Sequence, residues 1–216
     1  MLLLFQMKEV YSAQEILCDY NEIYRYLGYK KTDSSYNVPD EVKGCVGECA
    51  REMHKLLKPQ AVYEKLDLKV EKDKIYFGQF FLQSKDLAKN LKNCSKVILI
   101  ALTAGPLVDR LIQKYSKLDS AKAVIYQACG AMFIESFADI FCKKLSEKYE
   151  SEGYFLHPRY SPGYGDLSLE TQKLFFSILS CSQKIALTLN DSLLMTPEKS
   201  ITAFIGLEKI EEENEK

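Results

Sequence analysis

Along this 216-residue chain the hydrophobic and polar positions change period several times, and each change marks an element. In "YNEIYRYLGY" (20–29) the apolar residues recur with helical spacing, and Gly28 supplies a C-terminal stop. Pro39-Asp40 opens a second helix that the pattern carries to about Leu57, with Pro59 ending it. "KEVYS", following Met7, is strand-like. From 61 to 70, "AVYEKLDLKV" alternates apolar and polar residues as a strand does. The charged turn "EKDK" leads into "IYFGQ", so the pair predicts an antiparallel hairpin. Ser84 is a candidate N-cap for "SKDLAKNLKN". "KVILIALTA" (96–104) is apolar almost without a break, which predicts a buried strand. Gly105-Pro106 turns it into the helix "PLVDRLIQKYS", and the longest helix follows, from Asp119 to about Tyr149. After a loop bearing proline and glycine, Ser168 caps another helix, with Glu170 and Thr171 in its first turn. "KIALTLN" and "SITAFIGL" are expected as a final pair of strands around "DSLLMTPEK".

No repeat, low-complexity linker or shift in composition divides this pattern. One α+β domain over residues 1–207 accounts for it, followed by a charged tail, 208–216, that frays. The length suffices for a substantial core. A net charge of −1 gives no bulk attraction to nucleic acid or to an acidic membrane. No apolar run approaches a membrane span, and "MLLLF" is too short and lacks the basic flank of a secretory signal. Seven cysteines, an odd number scattered through predicted helices, fit free thiols in a reducing compartment, so the chain is expected in the cytoplasm. Cys45 and Cys49 share a helical face, but two histidines and no second cysteine pair make two small core residues the better reading, and no metal site is expected. "LTAGPLVDR" follows a strand yet lacks the glycine spacing that cradles a dinucleotide.

Candidate chemistry concentrates in "HPRYSPGYGDLSLETQK" (157–173). Arg159 offers a planar fork of donors suited to a carboxylate or phosphate. Pro162 stiffens the backbone, Gly163 admits a close approach to it, and Tyr164 adds a flat face with a polar tip. Together they suit an anionic, planar ligand such as an amino-acid–nucleoside conjugate. The plainer alternative is an ordered connection whose arginine pairs with a surface carboxylate. In the preceding helix, Glu135 and Asp139 form a carboxylate pair on a face of small residues, Ala128, Ala131, Ala138 and Cys142 among them. Such a face suits ligand binding or acid chemistry, or simply carboxylates accepting hydrogen bonds from a neighbouring loop. His157 is of the right type for proton transfer, but no serine or cysteine nucleophile can be assigned to it. No catalytic residue is therefore assigned.

"RYSPGYGDLSLETQKLFFSIL", followed by "LNDSLLMTPEKSITAFIG", resembles the activation domain of cobalamin (vitamin B12)-dependent methionine synthase, in its free-standing form. Arg159, Pro162, Gly163 and Tyr164 match the family's R-x-x-P-G-Y loop. Leu189, Ser192, Met195, Pro197 and Ser200 match its later stretch, and "YRYLGYK" and the helix bearing Gly130 and Glu135 are similar to segments of free-standing members. The resemblance implies a twisted, largely antiparallel sheet flanked by helices. It implies S-adenosylmethionine bound by Arg159, Tyr160, Ser161, Pro162, Gly163 and Glu135, with the arginine at the methionine carboxylate, and Tyr164 toward the cobalamin. It also implies a partner, a cobalamin-binding methionine synthase or a related corrinoid protein, whose cob(II)alamin is methylated again with an electron from flavodoxin or another donor. The second functional reading is a docking module that binds the corrinoid protein but no S-adenosylmethionine. Ile205-Gly206, where longer family members carry an aromatic pair, favours that second reading.

Overall fold

The computed structural model describes residues 6–32 and 35–210. The chain begins with β1 (Met7–Val10) and α1 (Tyr20–Tyr26). The Asp19 carboxylate starts α1 by accepting the N–H groups of Asn21 and Glu22 at 2.9 and 3.3 Å. A short hairpin, β2 (Lys31–Thr32) and β3 (Ser35–Tyr36), leads to α2 (Asp40–His54). That helix stops three residues before Leu57, whose side chain is buried in the connection.

β4 (Gln60–Glu71), β5 (Lys74–Phe77) and β6 (Phe80–Gln83) form a meander, and α3 (Lys85–Asn90) follows, with the Ser84 hydroxyl accepting the Leu87 N–H at 3.0 Å as its cap requires. The sequence pattern does not reveal β6, because four residues between Gly78 and Ser84 are too few to display a period. Next come β7 (Cys94–Thr103), α4 (Pro106–Leu118), the long α5 (Ser120–Glu150) and a three-residue β8 (Tyr154–Leu156). α6 (Gln172–Leu179), α7 (Cys181–Ile185), the small hairpin β9 (Thr188–Leu189) and β10 (Met195–Thr196), and β11 (Ser200–Lys209) complete the described chain.

Seven strands make one antiparallel sheet in the order β6-β5-β4-β7-β11-β8, and β1 pairs with the start of β4. Helices cover both faces. On β7, Ile98, Ile100 and Leu102 enter the core beneath α1, α2, α4 and α5, while Val97, Leu99 and Ala101 enter the core beneath α3, α6 and α7. That two-sided burial is why "KVILIALTA" shows no polar alternation. α5 is long and apolar enough by composition to cross a membrane, with a mean hydropathy of 1.3. Its apolar window is 61% buried, however, and Phe133, Phe137 and Phe141 are core residues of the first face.

Two expectations change. "KIALTLN" is not a strand of the main sheet: Ile185 ends α7, Ala186 takes a left-handed conformation (φ 51°), and only Thr188–Leu189 pairs, with β10. Ile185 and Leu187 are buried against the second face, so their alternation records helix-end packing rather than a pleat. The last strand runs to Lys209, and residues 211–216 of the expected tail lie outside the described residues, as does "MLLLF".

On the second face Phe204 is fully buried between Phe77 and Phe175, with ring centroids 5.7 and 4.6 Å away in edge-to-face arrangements. Phe204→Ala should destabilise the fold by about 3–5 kcal/mol in urea unfolding. A loss under about 1 kcal/mol would mean that this layer is not close-packed.

Candidate functional site

β8 stops after three residues, whereas β11 is ten residues long, so among the described residues most of the outer edge of β11 has no strand beside it. The segment after β8 takes over. His157 N–H donates to the Gly206 carbonyl at 2.9 Å, and Tyr160 and Phe204 exchange two backbone hydrogen bonds of 2.9 and 2.8 Å. Beyond Tyr160 the loop leaves the edge. By the alternation of an antiparallel ladder, the N–H and C=O of Thr202 face the same outer side as those of Phe204. A cavity of about 430 Å³ lies there.

Arg159, Tyr160, Ser161, Pro162 and Tyr164 line it from the loop, Glu135 from α5 and Gln172 from α6. Met195 of β10 and Ser200–Thr202 of β11 close it. The guanidinium of Arg159 reaches α5, where Nη2 donates to Glu135 Oε2 at 3.1 Å and to Asp139 Oδ1 at 2.9 Å. Its other terminal nitrogen, Nη1, is buried without a hydrogen-bond partner among the described residues, and so is Oε1 of Gln172. Burial pushes the nearby Cys142 thiol up to about 11, against the pull of the Arg159 charge and of a hydrogen bond with the Arg159 side chain.

Two anchors hold the walls. The Asp166 carboxylate accepts the Ser84 hydroxyl and the N–H groups of Lys85 and Asp86 at the start of α3, at 2.7 and 3.2 Å for the two backbone donors. Asp86 in turn accepts the Asp166 N–H at 3.2 Å. Gly165 takes a left-handed φ of 51° beside this exchange, which glycine adopts without strain, and a Cβ there would push the Asp86 carboxylate and the Tyr160 hydroxyl aside. On the other wall, buried Asp109 accepts the Glu198 N–H at 2.7 Å, and Lys199 donates to Gln127 at 2.6 Å. Burial raises the Asp109 pKa and lowers that of Lys199.

The structure thus brings together the two features that the sequence presented separately, the arginine loop and the Glu135–Asp139 helix face. Gly163 (φ 91°) makes the turn, with its N–H on the Leu167 carbonyl at 2.9 Å, and does not line the cavity. Tyr164 stands 68% exposed at the rim. His157 lies outside, held at 2.7 Å by both the Asn90 carbonyl and the Glu208 carboxylate, whose pKa it lowers. Ile205 and Gly206 are also elsewhere: Ile205 is buried on the α5 side, and Gly206 lies under Leu91 and Cys94. Sequence reasoning missed Gln172, Met195, Ser200, Ile201 and Thr202. Met195 and Ser200 stood in a recognised stretch, but Gln172, a polar residue at a helix start, carried no signal. Among the described residues no group of three or more histidine, cysteine, aspartate or glutamate side chains is arranged to hold a metal ion.

A two-faced antiparallel sheet with a polar cavity at an uncovered strand edge defines an α+β domain with a candidate small-ligand site. The chain belongs to the family described as vitamin B12 dependent methionine synthase, activation domain, whose sequence model matches residues 85–210, more than half of its length. Among solved structures it is similar to the crystal structure of the MetH reactivation domain bound to AdoHcy. The TM-score is 0.73 at 14% identity, over 97% of this chain and 80% of that one. No curated protein matches it in sequence.

Hydrogen bonds, the one from Ser84 first, hold the Asp166 pKa below the ordinary carboxylate value. A depressed folded pKa means that this contribution to stability is complete above the unfolded value, about 3.9, and is lost as pH falls through the lower folded one. Asp166→Asn should therefore melt below the wild type at pH 7, and the gap should close as the pH is taken well below about 3.9. A gap that is unchanged in acid would show that the Asp166 charge does not anchor the loop.

Proposed function

We propose that this chain binds S-adenosylmethionine in the Arg159 cavity and serves as a reactivation subunit, supporting reductive methylation of cob(II)alamin on a separate methionine synthase or related corrinoid protein. The observation that carries the reading is the half-used guanidinium. Glu135 and Asp139 fix one terminal nitrogen of Arg159 and leave the other buried and unpaired. An unmet donor of this kind costs about 1–3 kcal/mol until a partner arrives, and a carboxylate is the partner that a guanidinium fork matches best. The cavity, about 430 Å³, is within the usual range for small-molecule sites.

In this reading Arg159 holds the amino-acid carboxylate of the donor, and Glu135 stands beside its ammonium group. The loop backbone from Tyr160 to Pro162 borders the nucleoside, with Gly163 making the turn behind it, and exposed Tyr164 faces the corrinoid-bearing partner. The corrinoid supplies acceptance of the methyl group after one-electron reduction by flavodoxin or another donor. This chain supplies proximity and orientation. With the corrinoid on another chain, no tether raises its local concentration, so docking carries its own affinity. Ile205 and Gly206 lie away from the cavity, so they do not weigh against donor binding.

Calorimetric titration with S-adenosylmethionine and S-adenosylhomocysteine tests this directly. Saturable binding is expected, and Arg159→Ala should weaken it by about 1.5–3 kcal/mol. Unchanged affinity in the variant removes Arg159 from the site. No binding by the wild type, alone or with a cobalamin-loaded partner, leaves a docking module.

A further inference from the structure

We infer that Gln172 selects the base of the bound nucleoside, its side-chain amide reading the amino edge of adenine. This rests on the preceding reading that the cavity takes S-adenosylmethionine, and deepens it.

Gln172 is the first residue of α6, yet it is only 6% exposed. Glutamine is seldom buried so deeply, and when it is, its amide is ordinarily satisfied. Here Oε1 is buried without a partner among the described residues, and the residue lines the cavity. Together with Arg159 Nη1 it makes up the pair of unmet buried polar atoms on the cavity residues. Both residues border the cavity, where a ligand can meet the groups that the described residues leave unpaired.

Their placement gives that ligand a direction. Arg159 is tied to α5, which covers one face of the sheet, whereas α6 packs on the other face. The cavity wraps the outer edge of β11 between them, with Ser200, Ile201 and Thr202 along it. An elongated ligand whose carboxylate lies at Arg159 presents its far end toward Gln172. The far end of S-adenosylmethionine is adenine. A primary amide has a donor and an acceptor side by side, and adenine offers the complement, an exocyclic amino donor next to a ring-nitrogen acceptor. The match holds for either edge of the base that carries the amino group. Charge plays no part in this contact, so it adds selectivity without changing how the carboxylate is held.

The test compares S-adenosylhomocysteine with its analogue lacking the 6-amino group, which carries purine in place of adenine, by calorimetry on the full chain. The wild type should prefer the adenine ligand by about tenfold or more. Gln172→Leu, which keeps much of the side-chain volume, should bind the two ligands about equally. Gln172→Glu keeps the acceptor and should retain a preference for the amino group, which a purely structural role would not produce. If the wild type binds both ligands alike, or if Gln172→Leu keeps the wild-type ratio, the inference is overturned while the cavity reading stands. If the wild type binds neither, the cavity reading itself falls and takes the inference with it. Should Gln172→Leu fail to fold, the wild-type ratio and Gln172→Glu still decide.

Discussion

The unequal lengths of β8 and β11 govern the rest of the site. A three-residue strand beside a ten-residue one leaves backbone donors and acceptors along an edge that water or another group must satisfy. The segment from His157 to Tyr160 satisfies Gly206 and Phe204 and then turns away at Ser161-Pro162. Proline cannot donate to a ladder, so the turn away from the edge is fixed by covalent structure as well as by contacts. What remains open at Thr202 becomes the floor of a cavity. The same edge that would be an aggregation hazard on a free strand is here screened by a loop.

The electrostatics of that cavity suit a particular charge pattern. Arg159 contributes one positive charge and its two partners, Glu135 and Asp139, two negative ones. The three together carry one net negative charge while still presenting an unpaired guanidinium nitrogen. S-adenosylmethionine carries a carboxylate, an ammonium and a sulfonium, one net positive charge. Its carboxylate can meet Arg159 locally while its overall charge is attracted to the group as a whole. A plain dianion such as phosphate meets the arginine but is repelled by the flanking carboxylates. Local and net complementarity thus favour a zwitterion with an extra cation over a simple anion.

Much of this architecture is legible in the residues, and the exceptions have physical causes. Long periodic segments declare themselves: α2, α4 and α5, and the unbroken apolar run of β7, follow directly from spacing. Arg159, Glu135 and Tyr164 stand out because a fork, a carboxylate on a small-residue helix face and an aromatic next to Pro-Gly are unusual in their contexts. β6 and β8 are hidden because three or four residues cannot show a period. "KIALTLN" misleads because Ile185 and Leu187 are buried by helix-end packing that imitates strand alternation. Gln172 is invisible for a different reason. Its place in the cavity wall depends on α6 meeting a loop and a strand edge that local sequence does not place beside it.

Where the family signal falls is itself informative. The matched segment, 85–210, begins at α3, where Asp166 ties the loop down, and ends just past β11. Every residue lining the cavity lies inside it. The earlier part of the chain supplies β1, the meander from β4 to β6, and α1 and α2. Those elements need only keep an apolar face of the right volume against the sheet, a requirement that many sequences meet. The cavity wall has narrower tolerances: a positive-φ glycine beside two oxygens, an arginine shared between two carboxylates, and a carboxylate capping a neighbouring helix. Such constraints fix residue identity, whereas core packing fixes only size and polarity. The fold is shared over 97% of the chain at 14% identity, whereas the family sequence model matches 85–210, the stretch that holds the whole cavity wall.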